Sequence, residues 1–468
     1  MKGTKKSSKT SRPRLGEPAP GWPSFPPQPT LRSLLDGLKV SQWWSPAELA
    51  EAQQRQLAWL VNWAATQVPY YGGTSWAREA AAALRSVAAG SPEEFTGLWR
   101  TLPLLTKPEL RALGPEVNAR TLPPEQLPVG KVQTSGSTGI PVEVGTTPFT
   151  RLLWDALTVR EHIWWRRDFT KRMGVIRFRK HEQRASDGEV APGWGSPVGR
   201  LYRSGPSSAI HIGRPVEELA DWLMRFDPVY LLAHPSIMGP LMDAVAARGA
   251  RPQSLEEIRF IAEPLEPELV ERLASAWQVR CTDLYSANEV GYMAFRCREQ
   301  GALHVQSESV LVEVLDDQGL PCAAGATGRV VVTSLHNVAT PLIRYELGDY
   351  AEVGQPCKCG RGLPVLTRVM GRVRNLVRTP DGRRYWPVDL GRVRRVKEIV
   401  QAQYVQTALD TIELRVVVTG PLDETAVATA RKQAQLALGY AFNVEVVPLP
   451  EIQRGPTGKF EEFLSLVE

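Results

Sequence analysis

At 468 residues the chain exceeds what one hydrophobic core usually sustains, so two domains are expected. Its apolar and charged fractions, 43% and 23%, are those of an ordinary globular protein, and no apolar run is long enough to suggest a membrane-spanning helix. The formal net charge of +6 is local: Lys2, Lys5, Lys6, Lys9, Arg12 and Arg14 have no acidic neighbour among them, so the high isoelectric point does not imply a nucleic-acid-binding core.

Residues 1–30 read as a disordered basic and proline-rich tail, either a solvated extension or an electrostatic arm. No apolar stretch follows the basic residues, so no secretory signal is read. Five cysteines do not make a disulfide framework in so long a chain, and the cytoplasm is the expected location. Ordered structure is expected from about Leu31. Residues 46–67 read as an amphipathic helix opened by Ser45-Pro46 and broken by Val68-Pro69-Tyr70-Tyr71. The segment Thr134-Ser135-Gly136-Ser137-Thr138-Gly139-Ile140-Pro141 then stands out. Its glycines let the backbone fold tightly around an anion, and its hydroxyls add donors for phosphate oxygens. No Gly-Lys-Ser/Thr ends it, so it is not a Walker loop, and taken alone it reads equally as a flexible turn.

From 130 to 370, short apolar runs (174–178, 228–233, 258–261, 330–333) alternate with helical patterns at 214–226 and 235–248, as in α/β layers around buried sheets. From Val373 onward the pattern changes: a strand over 411–418, a helix over 423–438 and a strand over 443–447 form a small α+β unit. Cys297 and His304 are followed about fifty residues later by Cys357 and Cys359. Three thiolates and an imidazole make a tetrahedral Zn²⁺ set, with buried thiols as the other reading. Cys281 and Cys322 have no partner by spacing and read as buried thiols.

The ordered set of motifs resembles the phenylacetate–CoA ligase and capsule-synthesis-type group of the adenylate-forming superfamily. It comprises Thr134 to Pro141, Ala262-Glu263-Pro264, Tyr285-Ser286-Ala287-Asn288-Glu289-Val290-Gly291, Pro341 to Asp349, Gly371-Arg372-Val373-Arg374-Asn375 and Gly455-Pro456-Thr457-Gly458-Lys459. The resemblance covers residues 40–468. It implies an α/β fold: a large N-terminal adenylate-forming domain with layered sheets and helices (31–372), and a small mobile α+β C-terminal domain (373–468).

The resemblance also implies roles. Thr134, Ser135, Gly136, Ser137, Thr138 and Gly139 wrap the ATP phosphates, with Asn288 as a further phosphate donor. Glu289 holds Mg²⁺, Tyr285 faces adenine, and the backbone of Ala262, Glu263 and Pro264 edges it. Asp349 accepts the ribose hydroxyls, as a carboxylate can, and Arg372 contacts ribose or phosphate. Arg344 is either a motif residue or an ion-pairing scaffold residue. Lys459 bridges the carboxylate substrate and the α-phosphate, Arg374 is the hinge, and Gly382 leaves room for the pantetheine arm. Cys-x-Cys-Gly-Arg at 357–361 resembles a feature of the same group, with Zn²⁺ in a structural role.

Three departures stand out: Ile140 replaces the usual lysine, Asn288 the usual serine or threonine, and the Gly382 loop comes one residue late. Trp154, Trp164 and Trp165 read either as an aryl-acid pocket or as core. Arg177, Arg179, Lys180, Arg184, Arg200 and Arg203 point instead to a polar or doubly anionic acid. The implied function is ATP-dependent activation of a carboxylic acid as acyl-AMP, with pyrophosphate release, then transfer to CoA. The alternatives are transfer to an amine or hydroxyl acceptor, and a non-catalytic nucleotide-binding relative. Membrane and nucleic-acid partners are not expected, and a homodimer is left open.

Overall fold

The computed structural model describes residues 29–87, 91–133, 142–372, 375–385, 387, 390–454 and 460–467. The basic tail, the loop Thr134–Pro141, the expected hinge residue Arg374 and Lys459 lie outside these, as does the side chain of Arg372.

The chain enters through helix Leu31–Ser41, capped by Thr30 and burying Leu31, Leu34, Leu35 and Leu38 at helical spacing. Helix Pro46–Gln67 starts where the sequence puts it. The Ser45 side chain accepts from the Glu48 N–H, and the Glu48 carboxylate reaches back to the Ser45 N–H at 2.8 Å. Pro69 forces Val68 into extended backbone (φ −106°) and ends the helix. The break is shorter than expected, because the same proline opens a further turn, Pro69–Gly73.

Among the described residues the main sheet has twelve strands. Its parallel half contains Met173–Arg177, Ser207–His211, Tyr230–Ala233 and Glu257–Phe260. Helices Val216–Phe226, Pro235–Ala246 and Pro267–Trp277 contribute to the core around it. The expected apolar runs are therefore strands with little solvent contact. Its antiparallel half contains Gly291–Arg296, Leu303–Val305, Val365–Arg372, Tyr345–Val353, Thr327–Ser334 and Val310–Leu315.

Strand Arg280–Ala287 joins the two halves. Arg280 to Asp283 pair in parallel with Glu257–Phe260, and Leu284 to Ala287 pair antiparallel with the next strand. Helix Pro148–Trp164 is tied to the parallel half by Arg167, whose guanidinium bonds Glu161 and Glu257, each at 2.6 Å and all three buried. Such a pair fixes a register more than it adds stability.

The C-terminal unit has its own four-stranded sheet, in the order Asn443–Pro448, Thr411–Val418, Ile399–Ala408, Phe463–Ser465. Helix Glu424–Leu438, N-capped by Asp423, packs on it around Tyr404, Leu414, Val416, Ala434 and Phe442. No helix among the described residues is long and apolar enough to cross a membrane.

Candidate active site

Ligands of open α/β sheets bind at the carboxyl ends of the parallel strands. Here His234 follows strand Tyr230–Ala233, and Ala262 to Pro264 follow strand Glu257–Phe260. Ala262 adopts a left-handed φ of +73°, a backbone state that costs energy in a residue with a Cβ. The Glu263 carboxylate accepts from the Ser236 N–H at 2.9 Å and the Phe460 N–H at 2.8 Å, with His234 Nδ1 at 3.3 Å. Arg454 donates to Ser236 Oγ at 2.8 Å and lies 3.7 Å from Glu263. Both residues flanking Gly455–Lys459 are thus held at one carboxylate. Burial pushes the Glu263 carboxyl up, but its bonds to His234, Phe460 and Ser236 outweigh this and hold it below the usual range.

The Tyr285 hydroxyl donates to Asp349 Oδ2 at 2.8 Å. Three strands separate these residues in the sheet order, which in a flat sheet would place them about 19 Å apart. The antiparallel half must therefore curl over to bring them together. Asp349 pairs in register with Arg372 on the neighbouring strand. Gly371 takes φ +95°, open to glycine at no steric cost, and faces Pro264. Pro264, Tyr285, Asp349 and the Arg372 backbone thereby converge on one rim.

The tip of the hairpin between Arg280–Ala287 and Gly291–Arg296 carries Asn288 and Glu289. Asn288 Nδ2 donates to the Gln133 carbonyl at 3.0 Å, so the tip is tied to the strand that leads into Thr134. Glu289 is buried beside it. Gly291 (φ +87°) lies so close to the Trp154 indole nitrogen that a Cβ there would come within 2.1 Å.

Other sequence readings resolve differently. Arg344 is a scaffold residue: its buried guanidinium bonds Glu313 and the carbonyls of Arg100 and Leu102. Trp164 and Trp165 are core, Trp164 packing edge-on against Phe295 and His304. Trp154 is half-buried beside Gly291 instead. Arg200 pairs with Asp155 at 3.0 Å. Gly382 (φ +84°) turns a tight hairpin, its N–H donating to the Thr379 carbonyl, and the structure does not bring it to the rim. Cys281 is half-buried rather than fully so, with burial pushing its thiol up to about 12. His234, Ser236, Arg454 and Phe460 were invisible in the sequence. The only hint was that His234 and Ser236 follow a strand ending at a helix start.

The second constellation is complete. Ligand atoms of Cys297, His304, Cys357 and Cys359 all lie within 4.8 Å of one another. Cys297 Sγ and Cys357 Sγ are 3.9 Å apart, and Cys359 Sγ is 3.3 Å from His304 Nε2. Tetrahedral Zn–S bonds imply sulfur–sulfur separations of about 3.8 Å. Burial pushes His304 down to about 4, leaving a neutral imidazole, and its Nδ1 faces the Leu363 carbonyl at 3.4 Å, which aims Nε2 inward. Arg361 is stacked over Trp164 at 4.3 Å and Trp43 at 5.0 Å, and this clips the cluster to the end of helix Pro148–Trp164 and to the turn after helix Leu31–Ser41.

No family model matches the chain. The phenylacetate-coenzyme A ligase of Thermus thermophilus is 25% identical over 459 residues, 90% of this chain and 97% of that protein. Among solved structures, a 2-hydroxyisobutyryl-CoA ligase in the postadenylation state, in complex with R3-HIB-AMP, superposes with a TM-score of 0.68 at 20% identity, covering 91% of each chain. The same ligase with 2-HIB-AMP and CoA in the thioesterification state gives 0.57 at 22% identity, again covering 91% of each. The fold is that of these CoA ligase structures.

Proposed function

We propose that the chain is an ATP-dependent acid–thiol ligase that activates a carboxylic acid as acyl-AMP, releases pyrophosphate and passes the acyl group to CoA. The observation that carries this is the Glu263 carboxylate receiving the N–H of Phe460, the residue after Lys459, beside the Ala262–Pro264 turn. Similarity to phenylacetate-coenzyme A ligases along nearly the whole chain supports it.

In the first half-reaction the acid's oxygen attacks the α-phosphate. Negative charge grows on the phosphorus oxygens, and a fixed cation there lowers the barrier. Lys459 supplies that cation, with Arg372 alongside. Asp349, oriented by Tyr285, takes the ribose hydroxyls, and Tyr285 offers its ring to adenine. The loop Thr134 to Gly139 wraps the polyphosphate, and Asn288 holds the hairpin tip against its entry. Glu289 would hold Mg²⁺, which neutralises phosphate charge.

The four Cys/His donors fit a structural Zn²⁺, whose closed coordination leaves no position for substrate. The cluster clips the segment after Glu289 to the segment after Asp349. Residues 31–372 act as the body and 373–468 as a unit turning about Arg374, which brings the Gly382 hairpin inward when CoA attacks. Trp154, beside Gly291 in the hairpin that carries Glu289, supports an aryl acid. Screening a panel of aryl and short-chain acids for ATP- and CoA-dependent acyl-CoA, with product identified by mass, tests the reading. Acid-dependent pyrophosphate release without any use of CoA would replace CoA by an amine or hydroxyl acceptor.

A further inference from the structure

We propose that the carboxylic acid activated here is a diacid, whose distal carboxylate is held by Arg177; this rests on the ligase reading above and narrows its substrate. Arg177 ends strand Met173–Arg177, where its carbonyl accepts the Ile212 N–H at 2.9 Å. Successive residues of a strand face opposite ways. Ile176 is buried in the core formed with helices Val216–Phe226 and Pro235–Ala246, so Val175 and Arg177 are turned to the other face of the sheet. In register, Val175 pairs with Leu232 and Leu232 with Arg259. Arg259 reaches Glu161 of helix Pro148–Trp164 at 3.1 Å, so this is the face that the helix covers.

The charge of Arg177 is unspent. Neighbouring arginines have carboxylates: Arg172 pairs with Asp227 at 3.1 Å, Arg179 with Asp187 at 3.1 Å and Arg200 with Asp155 at 3.0 Å. The Arg177 guanidinium has no ion pair and no hydrogen bond with any described residue, and the groups acting on it are a like charge, Arg179, and the Tyr292 phenol. Burial, then Arg179, push its pKa down. Arg167 shows the reverse: burial is outweighed there by Glu161 and Glu257, which raise it. A guanidinium that is partly desolvated beside another cation gains when an anion arrives. Its side chain is open to solvent, so an anion can reach it.

Tyr292 connects this cation to the candidate active site. It follows Gly291 in the hairpin that carries Glu289, and it pairs in register with Ser286, the residue after Tyr285. Its hydroxyl lies 3.1 Å from Thr158 Oγ1, which also bonds the Trp154 carbonyl at 2.9 Å. The Trp154 indole in turn leaves no room for a side chain at Gly291. A line of contacts therefore runs from the Glu289 hairpin, past Trp154 and Thr158, to Arg177. Strand Met173–Arg177 lies two places from strand Glu257–Phe260, about 10 Å along the edge from the Ala262–Pro264 turn. An aromatic ring with acidic groups at its two ends spans that gap: one carboxylate is activated at the turn, and the other takes the forked donors of Arg177.

The test is kcat/KM for acyl-CoA formation from phenylacetate and from 2-, 3- and 4-carboxyphenylacetate, with melting temperature as the folding control. The wild type should prefer at least one of the diacids over phenylacetate by about 10- to 100-fold. Arg177→Ala should remove most of that preference, through KM for the diacid more than through kcat, and Arg177→Lys should restore part of it. A wild type that prefers phenylacetate, or a preference that survives Arg177→Ala, overturns the proposal and leaves the ligase reading standing. So does a rise in KM for CoA or ATP as large as that for the diacid. Calorimetry with the three diacids, in the presence of α,β-methylene-ATP, gives a readout independent of turnover. Binding to the wild type that is lost in Arg177→Ala supports the proposal, and no binding of any diacid to the wild type refutes it. Wild-type protein that makes no acyl-CoA from any acid would refute the ligase reading, a result separate from that binding.

Discussion

The Cys/His cluster and the proposed nucleotide rim are built in opposite ways. The cluster draws four donors from residues 297 to 359, all at the antiparallel half of the sheet, and holds them at metal-binding separation already. The rim draws on Gln133, Glu263, Tyr285, Asn288, Asp349 and Gly371 of the body, and on Arg454 and Phe460 from the C-terminal unit, which has a separate core. A site contained in one body is set by folding, whereas one shared between two bodies is completed by docking. Lesions in the first should therefore be read as lost stability, and lesions in the second as lost rate in a protein that still melts normally.

Lys459→Ala is the sharpest way to break that distinction. On the proposed reading, removing this charge should slow acyl-AMP formation by about 10²- to 10³-fold, with ATP binding and melting temperature nearly unchanged. A melting temperature that falls along with the rate would mean that the C-terminal segment is structural. Asp349→Ala should come next, since a charged hydrogen-bond acceptor contributes about 1.5–3 kcal/mol. The ratio kcat/KM for ATP is expected to fall by about 10- to 100-fold, while KM for the acid should hold.

Much of the fold was legible because its period is local. Ser45-Pro46 opening a helix, Pro69 ending it and the alternation over Thr411–Val418 each act over a few residues. The cluster was legible for a related reason: soft ligands at short spacing carry their own chemistry. What could not be read was contact. Tyr285 and Asp349 stood in segments that resemble family motifs, but their bond depends on how far the sheet curls. Arg344 had two readings until Glu313 and two carbonyls were seen around it. Glu263 was expected to matter through its backbone, and its carboxylate turned out to hold Phe460, a partner far along the chain that no spacing predicts.

The cluster supplies the opposite readout. Cys359→Ser should lose about one Zn per chain by elemental analysis and lower the melting temperature by about 5–10 °C, because metal-binding energy there is folding energy. Its remaining folded fraction should adenylate at the wild-type rate. Full stability without metal would reduce the cluster to packed thiols.

The smallest effect concerns docking. The Glu263 carboxyl is held below the usual range, so its bonds to the C-terminal segment are fully present above that range and are lost as pH falls through the lowered value. Adenylation should therefore show no loss traceable to this group between pH 6 and 8 and should weaken only below about pH 4. Glu263→Gln keeps the shape without the charge and should slow adenylation by about two- to fivefold at neutral pH. An unchanged rate would show that Glu263 does not govern docking.

Acid-dependent pyrophosphate release, followed with and without CoA across a panel that includes phenylacetate, tests the central assignment most directly. The assignment predicts release that requires both ATP and one preferred acid, slow turnover without CoA, and faster turnover with an acyl-CoA product when CoA is added. ATP binding with no acid-dependent release across the panel, by a protein shown to be folded, would contradict it.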